Sequence, residues 1–262
     1  MSDFQFSFRK DHAVSLTSAR KSSTGQSVHV AISTSLMAST AFGAVVSRLS
    51  DALFTTIPKL SNMAQRYSAA GYREAVTPII FGQLTQSFRQ LRDAAVQRER
   101  DRAVQFNDWA TPKFTQPNVP DTRVPFRSEL RSRLAAMKPA QAIELALRDY
   151  DVAAAVAEGG RAIANWPSDL WQRFIETFAE RNLAKRLEAQ YTHIPSADDP
   201  LREGTDIAAA ADAARSHIAA NRESIAEIDS LRTVLQSVID LVALAMDTND
   251  RDAAFKTLMG KA

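Results

Sequence analysis

TDIAAAADAARSHIAANRESIAEIDSLRTVLQSVIDLVALAMD, residues 205–247, decides how the rest of the chain is read. The stretch has no proline and no glycine, and Thr205 or Asp206 opens it with a capping side chain. Ile207, Ala211, Ala214, Ile218, Asn221, Ile225, Ile228, Arg232, Leu235, Ile239, Val242 and Met246 follow one another at alternating steps of four and three. That spacing is a heptad seam, the pattern of a helix laid along a partner. A helix of about 40 residues is roughly 60 Å long, beyond the usual globular length, so a coiled coil or a long bundle helix is expected. Asn221 and Arg232 are the polar seam positions; they either set register or mark where the seam turns away from its partner. Near the end, Leu231, Val234, Val238, Leu241 and Leu244 spread apolar surface around the helix, which must then be covered on several sides. The partner is either the rest of this chain or a second copy. For a second copy, Ile218, Ile225, Ile228, Leu235, Ile239 and Val242 are the contact residues.

Upstream, the pattern is again mostly helical. Leu36, Thr40 and Ala44 begin one helical side, and Met37, Ala41 and Val45 another. Pro58 suits the first turn of a following helix, where its missing amide costs nothing. Gly71 and Pro78 suggest a bent connection before a helix from about Ile79 to Trp109. Pro112, Pro117, Pro120 and Pro125 then fall within residues 111–125, an extended crossover or linker. Beyond it come a short basic helix from Phe126 to Met137, an Ala-rich helix from Pro139 to about Gly160, and a helix capped by Ser168. Pro195 and Pro200 flank an acidic loop at Asp198 and Asp199.

The first 34 residues differ. Phe4, Phe6 and Phe8 alternate with polar residues, Val14 and Leu16 continue the alternation, and Val28, Val30 and Ile32 make a third run. Three short strands are expected, either as a small sheet on the helices or as an arm added to a neighbour, with the phenylalanines in its pockets. The fold class expected is therefore mainly α: a helical bundle with a long C-terminal coiled-coil-like helix and a small N-terminal β element. Its segments are 1–34, 35–110, 111–125, 126–204 and 205–262.

Composition narrows the chemistry. The 262 residues contain no cysteine, so disulfides, zinc–thiolate sites and thiol nucleophiles are excluded. None of the phosphate-loop, dinucleotide, nucleophile-elbow or zincin motifs occurs. Ser18 and Lys21 match an SxxK spacing without the companion signatures of acyl-enzymes, and Asp247, Asn249 and Asp252 lack the glycine and glutamate of a calcium loop. Asn249 or Asp250 reads instead as the cap of a short last helix. His12, His29, His193 and His217 stand at no metal-ligand spacing. No catalytic residue, metal ligand or cofactor is expected.

Charge is uneven despite a net of +2: residues 1–135 hold 18 basic and 10 acidic side chains, residues 136–262 hold 14 and 20. Opposed halves can attract within a molecule or head to tail between neighbours. Arginine outnumbers lysine 24 to 8, and alanine reaches 44, which fits a GC-rich bacterial or phage coding sequence. The expectation is a non-enzymatic assembly protein, a homo-oligomer or part of a larger particle such as a phage virion or a bacterial scaffold or secretion complex. A cytoplasmic or particle-borne chain without a secretory signal is expected. Two other readings rest on other residues. The uncharged run that opens at Val28 and closes at Val46 is nearly long enough to enter a membrane, though His29 and five hydroxyl residues dilute it. Arg123, Arg127, Arg131 and Arg133 form a basic patch for nucleic acid or an acidic partner.

Overall fold

A computed structural model describes residues 3–11, 14–113, 124–248 and 250–261. Among them the chain is mainly helical, with a three-stranded antiparallel sheet followed by nine α-helices. The strands β1 (Phe4–Lys10), β2 (Val14–Lys21) and β3 (Ser27–Ser33) lie in that spatial order. The helices are α1 (Thr34–Met37), α2 (Gly43–Arg66), α3 (Ala69–Ala110), α4 (Val124–Ala135), α5 (Pro139–Arg148), α6 (Tyr150–Ala164), α7 (Ser168–Leu187), α8 (Ile207–Ala245) and α9 (Arg251–Leu258). Two compact units result, one from Met1–Arg100 with Ile225–Ala262 and one from Asp101–Ser224, so α3 and α8 each contribute residues to both. Because the last residues join the basic start, the first unit holds 16 basic and 12 acidic side chains and the second 16 and 18, a smaller contrast than between the sequence halves. Residues 114–123, with Pro117 and Pro120 of the expected linker, lie outside the described residues, as do His12 and Asn249.

In the first unit the N-terminal strands pair within the chain. Phe6 stands opposite Ala19 and Phe8 opposite Thr17, and across β2 these meet Val28 and Val30. The inner face therefore carries bulky residues on both outer strands and Ser15, Thr17 and Ala19, all buried, on the middle one. Val14 and Leu16 turn outward instead of continuing the phenylalanine face. Small side chains at the centre let α2 approach the sheet, and Ser15 and Ser50 join hydroxyls there at 3.0 Å. Phe4 stacks on Tyr72 at 5.1 Å, and Phe8 meets Phe54 edge-on.

The uncharged run from Val28 to Val46 is divided among β3, α1, a turn and the start of α2. Ser39 makes that turn by accepting the amides of Ala41 and Phe42, and its hydroxyl donates to Glu227 at 3.0 Å. Gly43 packs so closely that a Cβ would collide with the Met37 carbonyl. Pro58 and Pro78 fall inside α2 and α3 rather than at helix starts or in a connection. Both rings face solvent, while Leu53, Ile57 and Leu60 in α2 and Val76, Ile80 and Leu84 in α3 keep an unbroken buried stripe. That burial outweighs the roughly 3 kcal/mol cost of an interior proline.

The long C-terminal helix begins where expected: the Asp206 carboxylate accepts the Ala209 amide at 3.0 Å. Its buried stripe is rotated from the expected seam. Ala214, Ile218, Asn221, Ile228 and Val242 stay on it, but Ala210, Ser224, Leu231, Val234, Val238 and Ala245 replace Ala211, Ile225, Arg232, Leu235, Ile239 and Met246, each one residue earlier. Ile207 and Ile225 are exposed, as is Arg232, which pairs with Glu99 and Asp229. Small Ala and Ser side chains lie in the first half of this stripe, and the last turns, apolar all round, serve either choice. The helix ends with Asp247 in the left-handed region (φ 51), the Thr248 amide closing onto Ala243 at 3.0 Å.

In the second unit the Ala-rich stretch is two helices. Asp149 interrupts it and caps α6 through the amides of Asp151 and Val152. Gly160 (φ 74) then kinks α6 before its end. Pro167, not Ser168, holds the cap position of α7, and no side chain caps that helix. Phe174 and Phe178 are fully buried against the alanines of α5 and α6, and Trp166 packs edge-on to Phe174 at 5.2 Å.

Candidate functional site

Strong charge pairs sit at three junctions, and each is structural. Asp247, beyond the carboxyl end of α8, places a negative group where the helix dipole disfavours one. Lys21 from β2 and Arg73 from α3 answer it, the Arg73 guanidinium at 2.9 and 2.5 Å. Burial pushes the Asp247 carboxyl up, but these bonds outweigh it and hold the group below the ordinary carboxylate range. Burial and the nearby Asp247 charge raise the Tyr72 phenol well above its usual value, which keeps it neutral.

Glu158 of α6 is the second junction. It accepts Arg127 at 3.0 and 3.3 Å and Arg131 at 2.6 Å. Burial again opposes and the two guanidinium groups prevail, leaving its carboxyl lowered. Arg127 is 6% exposed and Arg131 16%, so both are spent inside the fold and offer no cation to a polyanion. Arg133 is exposed, and Arg123 lies outside the described residues. On the same helix Leu134 is buried, whereas Phe126 is 57% exposed. At the third junction, Arg186 bonds the Asp108 carbonyl and carboxylate at 3.0 and 2.7 Å near the carboxyl end of α3. Hydrogen bonds from Arg186 and Lys113 lower the Asp108 carboxyl.

The residues expected to bind neighbours are mostly occupied within the chain. Phe4 is buried, and Phe6 and Phe8 pack against the same core. Ile218, Ile228 and Val242 are buried, and Leu235 and Ile239 lie half-buried on the first unit's core. Ile225 alone among them is exposed. Among the described residues no three carboxylates or imidazoles gather to hold a metal ion. No helix among them is long and apolar enough to cross a membrane.

One surface has unspent polar groups: the outer face of the N-terminal sheet. Strand alternation puts Gln5, Arg20 and Ser27 side by side in one row, and Ser7, Ser18 and His29 in the next. The two rows line an open concavity of about 480 Å³, within the size range of binding pockets. Ser7 and Ser18 share a hydrogen bond at 2.6 Å. Arg20 and His29 are exposed, no acidic side chain lines the concavity, and neither has an ion-pair partner among the described residues. Gly25 (φ 69) makes the β2–β3 turn at the rim and has open space around it. The next row holds Arg9, Leu16 and Ala31, and its exposed Arg9 pairs with Asp11 at 3.3 Å. The Arg20 fork, with hydroxyl and amide donors beside it, has the chemistry to accept a carboxylate or another anion. The alternation of residues 4–8 and 28–32 made the inner face legible; the outer face was missed, although Arg20 and His29 follow from the same alternation once the register is known. No protein-family model, curated protein or solved structure matches the chain.

Proposed function

We propose that this chain is a non-enzymatic assembly protein: a helical body that docks a neighbour on a surface patch rather than through the long helix seam. The observation that carries the reading is the outer sheet face, where Arg20 and His29 line a hydroxyl-bearing concavity with no ion-pair partner among the described residues, while the heptad stripe is filled from within. The clustered carboxylates support it too, since Asp247, Glu158 and Asp108 are each committed to cations that tie elements together. A particle component, either of a phage virion or of a bacterial scaffold or secretion complex, is the setting that suits this build.

Light scattering with sedimentation on the full chain, at about 50 mM and about 1 M salt, tests the reading. The expected result is a defined oligomer whose mass falls as salt screens the contact. A monomer at both salts overturns assembly of this chain with itself.

A further inference from the structure

We infer that the outer sheet face receives the loop of residues 191–206 from a second copy of this chain. The inference rests on the assembly reading and names the partner. The loop is preformed: Thr192 and Thr205 bridge its base, His193 donates to the Gly204 carbonyl at 2.9 Å, and the Asp206 amide donates to the Tyr191 carbonyl at 2.9 Å. Ser196 and Asp199 exchange backbone hydrogen bonds at 3.2 Å near its tip, and Pro195 and Pro200 stiffen its two sides. A loop held this way loses little entropy on docking.

Its surface is unusual for an uncovered segment. Ile194 is 85% exposed and Leu201 89% exposed, on either side of the exposed pair Asp198 and Asp199. Across residues 191–206 there are four acidic side chains and a single arginine. Asp206 is already used to cap α8, which leaves Asp198 and Asp199 at the tip and Glu203 nearer the base. The sheet face carries the complement: Arg20 and His29 for the carboxylates, and Leu16 with Ala31, which share the adjoining row with Arg9, for the aliphatic flanks. Both the charge and the apolar portion of one surface thus have a counterpart on the other. Two differing patches pair reciprocally in a two-fold dimer or repeat from copy to copy in a ring or filament, and the measured mass tells these apart.

Sedimentation equilibrium on the full chain tests this with Arg20→Glu, with Asp198→Arg plus Asp199→Arg, and with all three substitutions in one chain. All three residues are exposed, which keeps the substitutions off the core. Each reversal alone is expected to weaken association at least about tenfold, and the triple variant to recover it, as paired charge reversals do across a contact. Recovery also shows that the weakened chains had not simply unfolded. An oligomer indifferent to all three variants overturns this inference and leaves the assembly reading standing on another surface. Loss in both single-site designs without recovery in the triple variant contradicts direct pairing. A wild-type chain that stays monomeric ends both readings.

Discussion

Asn182 uses both ends of its amide. Its nitrogen donates to the carbonyls of Trp109 and Thr111 at 2.6 and 3.0 Å, and its oxygen accepts the Tyr150 hydroxyl at 2.7 Å. Asn182→Ala strands the buried Trp109 carbonyl and takes the acceptor from the half-buried Tyr150 hydroxyl, so a loss of about 1–3 kcal/mol is expected in urea unfolding. The carboxylates of Asp247 and Glu158 add a pH dependence. Both are held below their ordinary range in the folded chain. Their stabilisation is therefore complete above about pH 4–5, where the unfolded groups have ionised, and drains away as pH falls through the lowered folded values. Asp247→Asn should be less stable than wild type at pH 7, and its urea midpoint should fall less between pH 5 and pH 3. An equal acid fall in both chains would mean that Asp247 is not titrating against Lys21 and Arg73. None of these partnerships was legible in the sequence. Glu158 lies 31 residues from Arg127, and Asp247 lies 226 from Lys21, separations at which only the fold brings charges together.

At the scale of elements, the heptad pattern of α8 identified a long helix and its Asp206 cap, but not which of two adjacent stripes is buried. Apolar residues at Leu231, Val234, Leu235, Val238, Ile239, Leu241 and Val242 satisfy either stripe, and only the neighbouring helices choose between them. Leu231→Ala should cost about 2–5 kcal/mol, the range for emptying a packed leucine site. Ile225→Ala, at an exposed position, should change stability by less than about 0.5 kcal/mol. Chemical denaturation of the two variants side by side checks the register, and a reversed order would restore the seam read from sequence. Gly43→Ala is expected to destabilise by about 1–3 kcal/mol, since the new methyl meets the Met37 backbone rather than a yielding side chain. Pro58 and Pro78 misled for a related reason: a local helix breaker is tolerated when its ring faces solvent and the opposite side of the helix is buried.

For the whole molecule, the chain spends its helix seams and its long-range ion pairs on itself, and leaves a cationic sheet face and an acidic, aliphatic loop at its surface. Assembly by such patches is salt-sensitive and separable from folding, whereas a coiled coil between copies couples the two. Far-UV circular dichroism of the full chain through a salt titration, with the mass followed by light scattering on the same samples, tests this most directly. Loss of mass with unchanged helix content is the result expected when α8 is packed within each copy. Helix content that falls together with the mass would contradict it and place the α8 seam between chains.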